Sequence, residues 1–256
     1  MSTPRLAVAG LTVGIADRVF CEGLDFAIAP GECVVIVGPN GAGKTTLLGT
    51  LAGLLPVSRG SIAYDGMSID ALDARERARR RAWLPQYDHD AFPATVLETV
   101  LVGRHPHVKP WRWESADDVD KARAALASVG LDALEAREVA TLSGGERRRV
   151  AIAAMLAQDA HLLLLDEPTA HLDLRHQIGV LDLLSRHKRE ARTALVLVLH
   201  DLHLALRYAD SAIAIGHGRA RFGTARDVLG AKDLSELFGQ PLVAVGEGPY
   251  RTLLPA

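Results

Sequence analysis

The chain has 256 residues, and its 29 Lys and Arg against 31 Asp and Glu leave a formal net charge of −2, too balanced for a dedicated nucleic-acid or acidic-surface binder. A composition of 48% hydrophobic and 23% charged residues excludes a disordered or collagenous chain and fits an ordinary globular one. The longest uninterrupted apolar run, Val150–Ala157, is eight residues, against the ~20 that cross a bilayer, so no membrane span is expected.

From the start of the chain, Met1-Ser2-Thr3-Pro4-Arg5 leads into a short strand-like stretch with no signal-peptide core. Leu24, Phe26 and Ile28 alternate with Asp25, Ala27 and Ala29, which predicts a half-buried antiparallel strand, and Pro30-Gly31 makes the turn. Val34–Val37 is a continuous β-branched run, the pattern of a strand covered on both faces. From about Val96 to Leu156 the patterning is helical, broken at His105-Pro106 and Lys109-Pro110-Trp111. It resumes with Val119, Ala122, Leu126 and Val129 and ends at Gly130. Two more buried-strand runs follow, Leu162–Leu165 and Leu195–Leu199, with a helix over about Arg175–Arg189 between them. After Ala220 only short polar elements and a small tail are expected. Buried strands alternating with helices predict an α/β protein with a parallel, doubly wound sheet and a helical insertion. Cys21 and Cys33 are too few for a disulfide framework and fit a reducing cytosol.

Gly38-Pro39-Asn40-Gly41-Ala42-Gly43-Lys44-Thr45 fits G-x-x-x-x-G-K-[ST], between the Val34–Val37 strand and a helix opening at Thr46-Leu47-Leu48. Phosphate oxygens need several backbone N–H donors converging on one point, and glycines let the main chain approach and turn. The helix N-terminus adds its dipole and free donors. Lys44 supplies a cation for the β- and γ-phosphates, and the Thr45 hydroxyl can ligate Mg²⁺. The Leu162–Leu165 run, expected beside the phosphate-loop strand, ends in Asp166-Glu167-Pro168-Thr169. Neighbouring carboxylates at a strand end point in opposite directions, so one can face Mg²⁺ while the other orients or deprotonates a water. Ser143-Gly144-Gly145-Glu146, after Leu142, makes a second anion-binding turn at the start of a helix running to about Ala157, although taken alone it reads as an ordinary N-cap.

Leu142-Ser143-Gly144-Gly145-Glu146, followed by Arg147-Arg148-Arg149, resembles the signature of ATP-binding-cassette ATPases, and the rest of that family's motif set is present in order. The resemblance implies a P-loop NTPase (RecA-like) core with an N-terminal antiparallel β subdomain and an inserted α-helical subdomain. It divides the chain into a core of 1–86 and 158–220, a helical subdomain of 87–157 and a tail of 221–256. It implies that ATP and Mg²⁺ bind at Gly38–Thr46, including Thr46, with Asp166, Thr45 and Gln86 towards the metal. Gln86 stands where the glutamine loop stands, Glu167 where the base that polarises water stands, and His200 where a switch histidine touches the γ-phosphate. Ala170-His171-Leu172-Asp173 matches the dimer-facing loop. In the family the signature turn reaches the γ-phosphate held by the other subunit, so a homodimer is implied. One departure stands out: an aromatic that stacks on adenine is often found near the N-terminus, and Ile15 aligns there instead. Apolar packing by Ile15 or nearby Phe20 is expected to replace it, with weak base selectivity.

Ala91-Phe92-Pro93, Thr95–Glu98 and Gly103-Arg104-His105-Pro106-His107 resemble cassettes of importers for iron-siderophores, haem and cobalamin, as do His176-Gln177 and Ala205-x-x-Tyr208-x-Asp210. The resemblance implies two copies of an integral-membrane permease, docked near Gln86 and the start of the helical insertion. It also implies a periplasmic or lipid-anchored substrate-binding protein, and a place on the cytoplasmic face of the plasma membrane. An exporter or lipid-transport cassette would differ only in its partner. A soluble cassette acting in repair or translation would carry a second cassette or long coiled-coil or zinc insertions, which do not fit here. The cluster Arg75, Arg77, Arg79, Arg80 and Arg81 has no interleaved aromatics and is expected to be a solvated helix face rather than a nucleic-acid site. His105-x-His107 and His200-x-x-His203 lack Cys or carboxylate partners at ligand spacing. Trp111 and Trp113 are expected to pack or anchor a surface loop.

Overall fold

A computed structural model describes residues 3–86, 93–109, 111–170, 172–246 and 252–256; Ala91, Phe92, Pro110 and His171 of the motifs above lie outside them. Strands β1 (Leu6–Ile15) and β2 (Arg18–Ile28) form an antiparallel hairpin whose turn holds Ala16 at φ +50°. They are followed by β3 (Cys33–Val37), α1 (Lys44–Leu51), β4 (Arg59–Tyr64), β5 (Met67–Ser68), α2 (Ala74–Arg80) and β6 (Arg81–Leu84). The insertion supplies α3 (Val96–Leu101), α4 (Ala116–Ser128) and α5 (Gly144–Ala157). The chain then runs through β7 (Leu162–Asp166), α6 (Leu174–Ala191), β8 (Ala194–Val198), α7 (Leu202–Tyr208), β9 (Ser211–Gly216) and β10 (Arg219–Thr224). It closes with α8 (Ala225–Val228), α9 (Ala231–Phe238) and the hairpin β11 (Leu242–Val245) and β12 (Thr252–Pro255).

One sheet is antiparallel in the order β2-β1-β4-β5, and the other runs β10-β9-β3-β8-β7-β6, parallel apart from its edge strand β10. This is the α/β core with an antiparallel N-terminal sheet and a helical insertion that the sequence predicts. The arrangement explains the unbroken apolar runs. Val35, Leu163, Leu165, Leu195 and Leu197 face the helical side, while Val34, Ile36, Leu164 and Val196 face the N-terminal sheet and α1. All five residues of β3, β7 and β8 are buried, and each Val, Ile or Leu so placed stabilises the fold by ~1.5–3 kcal/mol.

Several expectations are corrected. The strand carrying Asp166 is not beside the phosphate-loop strand, because β8 lies between β3 and β7. The boundary at 220/221 falls inside β10, which continues to pair with β9 as far as Thr224. The arginine cluster is only partly a solvated face: none of its side chains is buried, yet Arg75 and Arg79 donate to the Pro106 carbonyl, Arg75 also to that of Val108, and Arg81 to that of Ala52. The bonds from Arg75 and Arg79 tie α2 to the loop between α3 and α4, and that from Arg81 ties the start of β6 to the end of α1. Trp111 and Trp113 lie at the surface as expected, but at 103% and 91% exposure they do not pack against the rest of the chain.

The insertion is built on helix caps. Thr95, Ser115 and Ser143 each accept a hydrogen bond from the main-chain N–H three residues on, and Glu98, Asp118 and Glu146 return the bond, so three helices start on capping boxes. Arg104 is buried at the junction of α3, α4 and α5, donating to Asp118 at 2.9 Å and to the Ala157 carbonyl at 2.7 Å. His107 reaches the Gln158 carbonyl at 2.8 Å, so the Gly103–His107 stretch is a clamp on the end of α5.

Candidate nucleotide site

The phosphate loop leaves β3 at Val37 and enters α1 at Lys44, with Gly41 and Gly43 at φ +73° and +97°. Gly43 is doubly constrained: a side chain would need a left-handed backbone and would overlap the Phe20 ring. Leu47 N–H already pairs with the Gly43 carbonyl at 2.8 Å, which leaves the N–H groups of Lys44, Thr45 and Thr46 without an intrahelical acceptor. Lys44 Nζ donates to the carbonyls of Gly38 and Pro39 at 2.9 and 3.0 Å, holding its ammonium under the loop. Burial lowers the Lys44 pKa, and the charges of Glu167 and Asp166 oppose that shift.

A cavity of about 660 Å³ opens over this loop. It brings together Asn40, Lys44, Thr45, Thr46, Gln86, Glu167 and His200, which come from four separate segments of sequence. Glu167 follows the last residue of β7, at φ +47°. Its Oε1 lies 2.5 Å from His200 Nε2, a hydrogen bond in which the imidazole donates when Nε2 carries its proton. Asp166 is wholly buried, and neither of its carboxylate oxygens has a hydrogen-bond partner. Burial raises its pKa; the neighbouring Thr45 hydroxyl, Arg148 and Lys44 pull it back. A buried carboxylate with the Thr45 hydroxyl as its neighbour offers oxygen donors of the kind a hard divalent cation takes, although Asp166 itself does not line the cavity as Thr45 and Gln86 do. Among the described residues no three His, Cys, Asp or Glu side chains gather into a metal group, His105, His107, His200 and His203 included.

Ser143, Gly144, Gly145 and Glu146 do not line this cavity. Ser143 and Gly144 are exposed, and the Ser143 hydroxyl is engaged with Glu146, whose carboxyl is held below its usual range by the Ser143 N–H and hydroxyl. After Glu167, Leu172 N–H pairs with the Thr169 carbonyl and Asp173 caps α6, accepting from His176 N–H at 2.9 Å. Asp173 and His176 thus have a local structural use, and next to them Leu174 is 66% exposed. Asp210 is also structural, accepting from Cys33 N–H and Lys188 at the start of β3.

Of the two apolar residues expected to take the place of a stacked aromatic, Phe20 lines the cavity; Ile15 does not, and is 53% exposed. The residue that sequence reasoning missed is Arg18, which lies over the Phe20 ring at 5.0 Å and donates to the Gly41 carbonyl at 2.8 Å. The signal was available, since residues two apart on a strand share a face.

A phosphate-binding loop, buried carboxylate, paired Glu and His and separated signature turn define a nucleotide-hydrolysing cassette. Residues 21–170 match the ABC transporter family, and the chain belongs to it as an ATP-binding, ATP-hydrolysing subunit. The hemin import ATP-binding protein HmuV of Streptomyces coelicolor is 44% identical over 92% of this chain and 84% of its own length. The petrobactin import ATP-binding protein FpuD of Bacillus anthracis is 42% identical over 80% of this chain and 75% of its own. A chain of a metal-chelate type ABC transporter, solved in an inward-facing conformation, matches with a TM-score of 0.87 at 28% identity, covering 99% of this chain and 98% of that one. Import subunits of this kind work with a membrane permease, and among the described residues no helix is long and apolar enough to cross a membrane.

Proposed function

We propose that two copies of this chain form the ATP-driven engine of an importer for a metal-chelate type substrate: an iron-siderophore, haem or cobalamin. The observation that carries the mechanism is the split between one cavity holding Lys44, Thr45, Gln86, Glu167 and His200 and a signature turn that lies outside it. In a head-to-tail dimer the exposed Ser143–Glu146 turn of a second copy closes over the phosphates, and Leu174 finds cover at the seam. The main-chain N–H groups of 38–46 and Lys44 bind the phosphates and neutralise charge. Glu167 accepts the proton of the water that attacks the γ-phosphate in line, and His200 holds its carboxylate in place. Thr45, Gln86 and Asp166 fit Mg²⁺, which would supply charge neutralisation between the β- and γ-phosphates.

The base rests on Arg18 and Phe20. A guanidinium face stacks on any purine, so GTP should support turnover within several-fold of ATP, as steady-state assays with both nucleotides will show. A strict ATP preference would count against this base site.

Next to Gln86, an apolar groove of about 350 Å³ runs between β6 and the insertion, lined by Trp83, Pro85, Thr99, Val102, Ala151 and Ala154. Its apolar lining and position suit a short helix of the permease at the cytoplasmic face of the membrane, beneath a periplasmic or lipid-anchored binding protein. Capture from detergent-solubilised membranes should recover a multi-span permease, and Ala151→Glu should abolish that capture while ATP binding persists. Recovery of ribosomes or DNA instead would overturn the transport reading.

A further inference from the structure

Arg147, Arg148 and Arg149 are chemically equal in sequence, yet only Arg148 is buried, at 7% exposure. Its guanidinium reaches two loops of the candidate site. Nη1 donates to the Pro85 carbonyl at 2.7 Å, one residue before Gln86. Nη2 donates to the carbonyls of Asp166 at 2.7 Å and Glu167 at 2.9 Å, and Nε to that of Pro168 at 3.3 Å. The planar fork of arginine presents donors in a fixed geometry, so a single side chain ties three successive peptide units to one point. The middle unit belongs to Glu167, whose φ of +47° is a conformation that L-residues hold only where their surroundings impose it.

We infer that Arg148 is a positioning residue for hydrolysis, fixing the Glu167 turn and coupling it to the Gln86 loop and to α5. The inference rests on Glu167 being the base that activates water. Since α5 also lines the apolar groove through Val150, Ala151 and Ala154, a partner that shifts α5 moves the base and the glutamine loop together. Contact at the groove then alters the rate of cleavage more than the affinity for ATP.

The test compares Arg148→Met and Arg148→Lys in the full chain. The Met variant should lose about tenfold or more in kcat while its KM for ATP stays within about twofold, and Lys, a single charged point without the fork, should recover part of the loss. A variant that merely folds poorly would lose active sites, whereas here ATP binding stoichiometry is retained and the bound nucleotide is cleaved slowly. If Arg148 acts through Glu167, adding Arg148→Met to Glu167→Gln should lower the single-turnover rate by no more than about twofold further. Should the Met variant not fold, Arg148→Lys carries the same comparison. An equal loss of ATP affinity would overturn the inference, as would a fully multiplicative loss in the double variant. Near-normal hydrolysis by Glu167→Gln alone would overturn the assignment of the base and the inference with it.

Discussion

Glu167→Gln should bind ATP with unchanged affinity, accumulate as a dimer and all but cease to turn over. The amide keeps the size of the carboxylate and can still accept from His200 Nε2, so the geometry set by that 2.5 Å contact survives. What disappears is the group that takes the proton from water, and general-base catalysis of this sort is worth about 10²–10⁴ in rate. The phosphate loop is untouched, and Lys44 keeps its bonds to the Gly38 and Pro39 carbonyls. Nucleotide therefore enters and stays. If closure on ATP is the step that joins two copies, size-exclusion chromatography with ATP should show a stable dimer for the variant and a transient one for the parent. Hydrolysis near the parent rate would remove Glu167 from the role proposed for it.

The largest expected effect on stability lies away from the site. Arg104 and Asp118 form a pair exposed by only 2% and 7%, and Arg104 also covers the Ala157 carbonyl at the end of α5. Arg104→Met keeps the aliphatic volume but leaves the Ala157 carbonyl without its buried donor and Asp118 with Ser115 as its remaining partner, a loss of about 1.5–3 kcal/mol. For a chain of this length that corresponds to roughly 5–10 °C in melting temperature. Adding Asp118→Asn should restore part of the loss, because a neutral amide no longer needs the cation. A melting temperature unchanged in Arg104→Met would show that the pair contributes nothing.

The same carboxylate sets a pH dependence. Asp118 is held at about 2, below the 3.8 of a free side chain, first by the Ser115 hydroxyl and main-chain N–H and only then by Arg104, against a burial that raises it. Its folded value lies below the unfolded one, so its contribution is complete above about pH 4 and is lost as pH falls towards 2. Because Ser115 leads, this acid limb should persist in Arg104→Met and flatten in Ser115→Ala.

The sequence displayed these features unevenly, for physical reasons. β3, β7 and β8 were legible because a strand covered on both faces needs an unbroken apolar run, and few other structures do. β6 is four residues starting with Arg81, directly after a helix, and β10 reads Arg-Ala-Arg-Phe-Gly-Thr, so neither announces itself. Strand order was not legible at all: nothing in the Leu162–Leu165 run says that β8 will slip between it and β3. Within the site, Lys44, Thr45, Glu167 and His200 were readable because each follows a recognisable strand or loop. Arg18 and Arg148 were not, since their importance lies in what they reach. Helical phase alone turns Arg148 inward between two arginines of the same chemistry.

The contact between Gly43 and Phe20 sets a limit on portability. The loop 38–45 looks like a detachable module, a short string that could be moved to any strand-to-helix junction. Its tightest turn, however, is moulded against a ring supplied by β2, on a different sheet. Transplanted alone, the loop would lose the surface that shapes it. The N-terminal hairpin is thus part of the mould, and whatever loosens that hairpin loosens the grip on phosphate as well.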